Sequence, residues 1–263
     1  MAVRTRIHAR TRALVVSGGG AVMVLALAGC AGTDVSEAPA EHKSFALSGK
    51  TLTIDTRSSS LELVPADVRE VEVTRRVDGW AVLGSGPDPK WEMRDDTLSL
   101  RVKCEALISD CAAEYRVKVP RGVAVVVEGD NGEIAASGFR TPLTLRADNG
   151  RVSVRDSTGP LDLSSDNGEI VTDRVSAGSV AARSNNGSIR LRFTSAPDRV
   201  EAVSDNGSIT IDLPPGSTKY AVDAVTRNGH ASVDVPQVAA GAGSGHVVKV
   251  RSDNGQVRVR NAN

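Results

Sequence analysis

The sequence predicts an all-β fold: a β-solenoid of about seven two-strand coils, with an irregular β region on its N-terminal side. Three observations predict it. An Asn-Gly corner recurs seven times, in "EGDNGEI", "RADNGRV", "SSDNGEI", "RSNNGSI", "VSDNGSI", "VTRNGHA" and "RSDNGQV". Apolar residues stand at fixed distances on both sides of each corner. Many stretches alternate apolar and polar residues, the period of a half-buried strand, and none past the N-terminal apolar run shows a helical period.

The N-terminus is set apart from the fold. Arg4, Arg6, Arg10 and Arg12 precede an apolar run that ends in "LALAGC". This is the layout of a secretory signal over residues 1–29, and the run is short for a membrane-spanning helix. Leu27, Ala28, Gly29 and Cys30 resemble the lipobox of bacterial lipoproteins, which implies lipidation of Cys30 and cleavage before it. Plain secretion with an incidental cysteine is the alternative. Two or three acyl chains, at roughly 0.8 kcal/mol per buried CH₂, anchor a protein stably.

Cleavage changes the charge. The full chain has 32 basic and 32 acidic residues, and the four arginines leave with the signal, so the mature chain is 28 against 32, or −4. That balance, with export, argues against a nucleic-acid partner. Seven aromatic residues (Trp 2, Tyr 2, Phe 3) leave little for stacking on bases or sugars. With Cys30 lipidated, Cys104 and Cys111 remain in "CEALISDC". Outside the cytoplasm such a pair reads as a disulfide closing a small loop; a redox pair or half a metal site is the alternative.

Residues 30–43 read as the lipidated cysteine and a flexible tether, small, polar and without period. Residues 44–119 read as irregular strands: "KTLTIDT", "SSLELVP", "EVEVTRRV", "DTLSLRVK" and "EYRVKVP", with "LGSGPDPK" as a breaker loop. Trp80 and Trp91 flank that loop, either to plug the open end of the solenoid or to meet a partner.

Residues 120–261 carry the repeat. The corner asparagines are Asn131, Asn149, Asn167, Asn186, Asn206, Asn228 and Asn254, spaced 18, 18, 19, 20, 22 and 26 apart. Six and four residues before them stand apolar columns such as Leu143/Leu145 and Leu161/Leu163; two before, all residues are small. Three and five after stand Ile134/Ala136, Val152/Val154 and their counterparts. Strand side chains alternate faces, so these columns share an interior. Parity puts Asn inside or capping the corner and the preceding Asp outside.

The shift of parity needs a corner that absorbs a residue. Gly132, Gly150, Gly168, Gly187, Gly207, Gly229 and Gly255 supply it, through their access to left-handed backbone. Asn-Gly alone would also suit hairpin turns in an antiparallel meander or sandwich. The constant stacked columns favour the solenoid. Seven coils at ~4.8 Å would stack to roughly 34 Å. The growing spacing near "PQVAAGAGSGH" suggests a last coil with an inserted loop.

"YRVKVPRGV" followed by serial "SDNGxIxV" units resembles the toast-rack β-strand repeat family, also called "putative adhesins", over about residues 44–261. The resemblance implies a β-solenoid at the bacterial envelope, sometimes linked to envelope-stress signalling. This chain departs from members fused to membrane-sensor helices, its one expected anchor being Cys30.

Chemistry is sparse. His8, His42, His230 and His246 are the four histidines, and no nucleophile–base set or phosphate-cradling loop accompanies them. No enzyme activity and no cofactor is expected. Asp130, Asp148 and Asp166 precede Asn-Gly corners; stacked carboxylates make them a weak candidate calcium site, while the same residues are simply good turn formers. The outward residues Arg146, Arg151, Arg155, Asp162, Glu169, Arg190 and Arg192 mix both signs. The expectation is a non-enzymatic lipoprotein on the outer face of the cell membrane. It would serve as an adhesin-like interaction module for an envelope protein or wall polymer. A passive spacer or a stress-sensing accessory is the alternative.

Overall fold

The computed structural model describes residues 35–238 and 245–262. Cys30 and the rest of the N-terminal signal therefore lie outside the described residues. Residues 33–263 form one compact unit.

A 3₁₀ turn, Val35–Glu37, opens the described chain. β1 is Glu41–Phe45, β2 Thr51–Arg57 and β3 Ser60–Ala66. Two long strands follow, β4 Val71–Arg94 and β5 Thr97–Pro120. The repeat region supplies β6 Ala124–Asn131, β7 Ile134–Ser137, β8 Leu143–Asn149 and β9 Val152–Arg155. It continues with β10 Leu161–Asn167, β11 Ile170–Val175, β12 Ser179–Asn186 and β13 Ile189–Phe193. The last six are β14 Arg199–Asn206, β15 Ile209–Leu213, β16 Ala221–Asn228, β17 Ala231–Asp234, β18 Val247–Asn254 and β19 Val257–Asn261.

The two strands flanking each corner belong to one coil, and each pairs in parallel with its counterpart in the next coil. Leu161 lies opposite Leu143 on one side and Val180 on the other, so like residues stack. Parallel pairing excludes the meander, because a two-residue hairpin turn joins antiparallel strands. β2 and β3 form an additional coil without an Asn-Gly corner, beneath β6 and β7. There are thus eight coils among the described residues, one more than the corners count. Eight layers have seven spacings, roughly 34 Å at 4.8 Å each.

The last coils are out of sequence order. β14 pairs with β18, and β18 pairs on its other edge with β16. The second strands repeat this: β15 pairs with β19, and β19 with β17. After β15 the chain skips one layer, lays down the Asn228 coil at the end, then returns to fill the gap with the Asn254 coil. The spacing of 26 residues corresponds to this return: its extra length lies between the end of β17 at Asp234 and the start of β18 at Val247, and the change of coil order is what the spacing alone did not show.

The interior is one apolar cluster of alternating strand residues, from Leu52 and Leu61 to Val250 and Val259. Leu163, Ala182 and Ala202 are fully buried, as the column before each corner requires. The Asn column, by contrast, is exposed at every corner, so parity does not carry through the bend.

The N-terminal side differs from the expectation of short separate strands. β4 and β5 pair antiparallel from Glu72–Lys118 to Arg94–Thr97, with a register shift between Ser85 and Asp88. The expected breaker "LGSGPDPK" lies inside β4. Pro87 and Pro89 are tolerated because this stretch pairs on one edge only. The two ends of β5 cover the first coil, Thr97–Arg101 against β2 and Glu114–Pro120 against β3. β2 and β3 are separated by two residues, Ser58 and Ser59, whereas β5 spends Val102–Ala113 between the same two edges. That surplus, with the facing part of β4, leaves the stack as a two-stranded arm.

Candidate functional site

Each corner Asn amide donates through Nδ2 to the Oδ1 of the Asn in the neighbouring coil. Asn149 donates to Asn131 at 3.3 Å, Asn167 to Asn149 at 2.9 Å, Asn186 to Asn167 at 3.0 Å and Asn206 to Asn186 at 3.0 Å. The ladder then passes to Asn254, which donates to Asn206 at 2.9 Å, and to Asn228, which donates to Asn254 at 2.9 Å.

A second ladder runs beside it. The hydroxyls of Ser165, Ser204, Ser252 and Thr226 donate to the corner carbonyls of Gly150, Gly187, Gly207 and Gly255 at 2.9–3.1 Å. Sequence reasoning identified these positions as small and missed that most are hydroxyls; the run of Ser, Ser, Ser, Thr, Ser was the available signal.

Glycine at the corner has a different cause from the one expected. Only Gly132 (φ 110°) and Gly255 (φ 154°) of the seven have positive φ. At Gly150, Gly168, Gly187 and Gly207 a Cβ would collide with the carbonyl oxygen of the glycine one coil earlier. Close stacking of backbone on backbone excludes a side chain there.

The acidic column beside the corners is bounded by arginine. Asp130 pairs with Arg57 at 3.5 Å at one end, and Asp253 with Arg227 at 3.0 Å at the other. Asn185 interrupts the column and donates to Asp166 at 3.1 Å. Among the described residues no three carboxylate, His or Cys side chains converge so as to hold a metal ion.

The outward charges are largely engaged between coils. Glu169 meets Arg151 at 2.7 Å and Arg190 at 3.5 Å, and Arg183 meets Glu201 at 3.3 Å and Asp162 at 3.6 Å. Asp212, nearly buried, is held between Arg192 at 3.4 Å and Arg260 at 2.7 Å, from the coils on either side. Arg174 grips Asp156 through two nitrogens at 2.8 and 2.7 Å, and this hydrogen bonding holds the Asp156 carboxyl below the usual range.

Of the histidines, His230 is exposed at a corner. His246 lies 2.8 Å from the carbonyl oxygen of Pro197. His42, on β1, lies 2.9 Å from the Thr74 hydroxyl on β4, and His8 is outside the described residues.

Two surfaces remain. One is a groove of about 480 Å³ across the Asn206, Asn254 and Asn228 coils, lined by Arg199, Glu201, Asp223, Val225, Lys249 and Arg251. Val225 is exposed in it. Among the described residues Asp223, Lys249 and Arg251 make no ion pair.

The other surface is the arm. Trp80, Val82, Leu83, Leu107 and Ile108 are exposed there, and with Val225 they are all the exposed large apolar residues among those described. Cys104 and Cys111 are joined by a disulfide within it. Gly84 has no room for a Cβ against the backbone of Glu105 and Ala106, so the two strands approach closely there. The two tryptophans part company. Trp91 packs edge-on against Phe45, 6.4 Å between centroids, beneath the Arg75 guanidinium at 4.0 Å, and so closes the end of the core. Trp80 faces outward.

Parallel coils with inward apolar columns, hydrogen-bonded corner ladders and charged outer faces define a β-solenoid of the stacked-repeat class. The sequence profile of the family described as Toastrack DUF4097 matches residues 122–261, and the chain belongs to that family. β1–β5, including the arm, lie before the matched span.

Among solved structures, a protein titled "putative adhesin" from Bacteroides fragilis aligns at 15% identity with a TM-score of 0.52, covering 85% of this chain and 97% of that one. A second "putative adhesin", from Parabacteroides merdae, aligns at 11% identity, TM-score 0.46, covering 84% and 95%. A "putative cell adhesion protein" from Clostridium sporogenes aligns at 10% identity, TM-score 0.37, covering 85% and 99%. At 15% identity the Bacteroides structure supports the fold alone. No curated protein matches the sequence.

Proposed function

We propose that the chain is a non-enzymatic, exported lipoprotein, anchored through Cys30 to the outer face of a bacterial membrane, whose solenoid is an adhesin-like interaction module. The groove over the last three coils carries this reading. Elsewhere most of the outward charges pair between coils, whereas among the described residues Lys249, Arg251 and Asp223 make no ion pair and stand together around an exposed Val225. Unpaired charge around an apolar centre is the make-up of a small recognition surface. Two cations against one acid favour an anionic partner, a wall polymer or an acidic segment of an envelope protein. The non-enzymatic part rests on the corners, where the recurring residues are engaged in holding coil to coil. The names of the structural neighbours point the same way.

The test is photo-crosslinking in living cells from a benzophenone side chain in place of Val225. A discrete adduct, lost in Lys249→Glu with Arg251→Glu, supports the module and delivers its partner. Absence of any adduct from Val225 leaves the passive-spacer reading in its place. The anchor is tested separately, by acyl labelling of the chain and of Cys30→Ser.

A further inference from the structure

We propose that the arm is a second contact with the membrane: its apolar tip inserts into the lipid interface beside the acyl anchor. The inference rests on the anchored reading above and adds a site to it.

The tip is unusual in this molecule. Leu83 is 78% exposed, Leu107 81% and Ile108 60%, with Trp80 and Val82 half exposed beside them. Val82 lies directly opposite Ile108, and Trp80 opposite Asp110. Leu83 and Leu107 lie between the pairs Val82–Ile108 and Gly84–Ala106, where β5 folds back far enough to bring the Cα atoms of Cys104 and Cys111 within 6.5 Å. Exposure this concentrated marks a surface that is covered by something. Nothing within the fold requires it. The arm leaves the stack after Arg101 and returns at Glu114, and of its β5 residues only Ala113 is part of the buried core.

The path of the chain says what covers it. β1 runs antiparallel to β4, with Glu41 opposite Arg75. Moving N-terminally from Glu41 therefore follows β4 from Arg75 toward Gly79, where the arm begins. The 3₁₀ turn Val35–Glu37 packs against β4 and β5. Val35 is five positions after Cys30. Five residues span at most about 18 Å when fully extended. The arm needs four residues from Gly79 to Leu83. Four strand residues span about 13 Å. The two reaches are alike, so an anchor at Cys30 keeps a bilayer within range of Leu83 and Leu107.

The composition suits the lipid interface rather than a charged headgroup. The charges beside the tip, Lys103, Glu105 and Asp110, carry both signs. Leucine and isoleucine at the end, with tryptophan set back from them, match the depths at which aliphatic and indole groups partition. The disulfide between Cys104 and Cys111 ties the two sides of the tip, so fewer conformations are lost on insertion.

The experiment uses the compact unit of residues 33–263, in which the described strands pair only with one another and which carries no acyl group. Trp91→Phe leaves Trp80 as the one tryptophan. The probe is phosphatidylcholine vesicles with brominated acyl chains. The expected result is quenched, blue-shifted Trp80 emission and co-flotation that is unchanged from about 0.1 M to about 1 M salt. Leu83→Asp with Leu107→Asp should lower flotation about tenfold or more. Circular dichroism and Tm of that variant should match the parent, since the arm lies outside the core.

Unquenched Trp80, or equal flotation of the double variant, overturns the proposal. So does a parent that dimerises through these residues without binding vesicles, which would make a second copy the occupant. Acyl labelling at Cys30 reads the anchor independently: an unlabelled chain whose Trp80 is quenched removes the anchor and leaves the arm.

Discussion

Asn254 donates to Asn206 at 2.9 Å and accepts from Asn228 at 2.9 Å, so the last repeat in the chain lies between the fifth and the sixth. Backbone register agrees: Lys249 is opposite Glu201 on one edge and Asp223 on the other. Cysteines at 201 and 249 should therefore be joined by dibromobimane, and so should cysteines at 223 and 249. Cysteines at 201 and 223 are two layers, about 10 Å, apart and should not react. Mass spectrometry of the digested products reads the three cases. Efficient 201–223 linkage would mean that the coils stack in sequence order. The arrangement also makes the end of the stack cooperative, since the Asn228 coil has its partner only after the Asn254 coil is in place.

Gly168→Ala should destabilise the fold by about 2–3 kcal/mol, as overpacking at a site that cannot relax does. The added Cβ would meet the carbonyl of Gly150, and both atoms belong to corners pinned by neighbours above and below. Gly86→Ala is the control: nothing lies within 4 Å of its Cβ position. It should stay within about 0.5 kcal/mol of the parent. Urea midpoints compare the two. Equal effects would show that backbone conformation, rather than stacking, decides where glycine is needed.

Asn186→Ala breaks the amide ladder in mid-stack. It leaves the Oδ1 of Asn167 without its donor and the Nδ2 of Asn206 without its acceptor. Both are at the surface, so water replaces the lost partners and the cost should be about 1 kcal/mol. Asn131→Ala, at the end of the ladder, forfeits one bond of 3.3 Å and should cost less. Denaturant curves that rank Asn131 above Asn186 would show that the ladder is incidental to stability.

Tyr115 predicts an alkaline limit. Its side chain is fully buried, no hydrogen-bond partner among the described residues reaches its hydroxyl, and desolvation pushes its pKa up to about 12. Burial moves Tyr220 in the same direction. In the unfolded chain tyrosine ionises near 10. The neutral form is what the fold accepts, so this stability is complete below about pH 10 and falls as pH rises to about 12. Tyr115→Phe should flatten that fall. At neutral pH it should be neutral or stabilising by about 1 kcal/mol, because an unpaired buried hydroxyl is removed. Loss of stability at neutral pH would mean that the hydroxyl has a partner.

The contrast between what the sequence shows and what it hides follows from the range of the interactions. The inward columns, such as Leu143/Leu145 and Val152/Val154, are legible because strand period and burial act over a few residues. The coil order is not, since the profile of the Asn254 corner is the same whichever layer it occupies. One clue existed, the 26-residue spacing, but a longer connection does not say which layer the chain returns to. The arm was hidden for another reason. "LGSGPDPK" has the composition of a loop, and only pairing with Val102–Ala106, 13 to 22 residues away, makes it strand. Of the candidate surfaces, Trp80 was visible as an aromatic without a place. The groove residues Lys249 and Asp223 became a surface only when two repeats exchanged layers.

Reduction of the disulfide separates the arm from the stack energetically. Cys104 and Cys111 close a loop seven residues apart in sequence. The chain-entropy account puts such a loop at about 2 kcal/mol. Because the strands of the arm pair with each other and contribute little to the core, that cost falls on local opening rather than on global unfolding. Reducing agent should leave the Tm of the solenoid unchanged. Amide exchange at Val82–Ser85 and Glu105–Ile108 should rise roughly thirtyfold, while the amides of Leu163 and Val180, in mid-stack, stay protected. Cys104→Ser with Cys111→Ser should reproduce the effect. A matching fall in Tm would show that arm and stack unfold as one unit, and that the tip is held more firmly than its exposure implies.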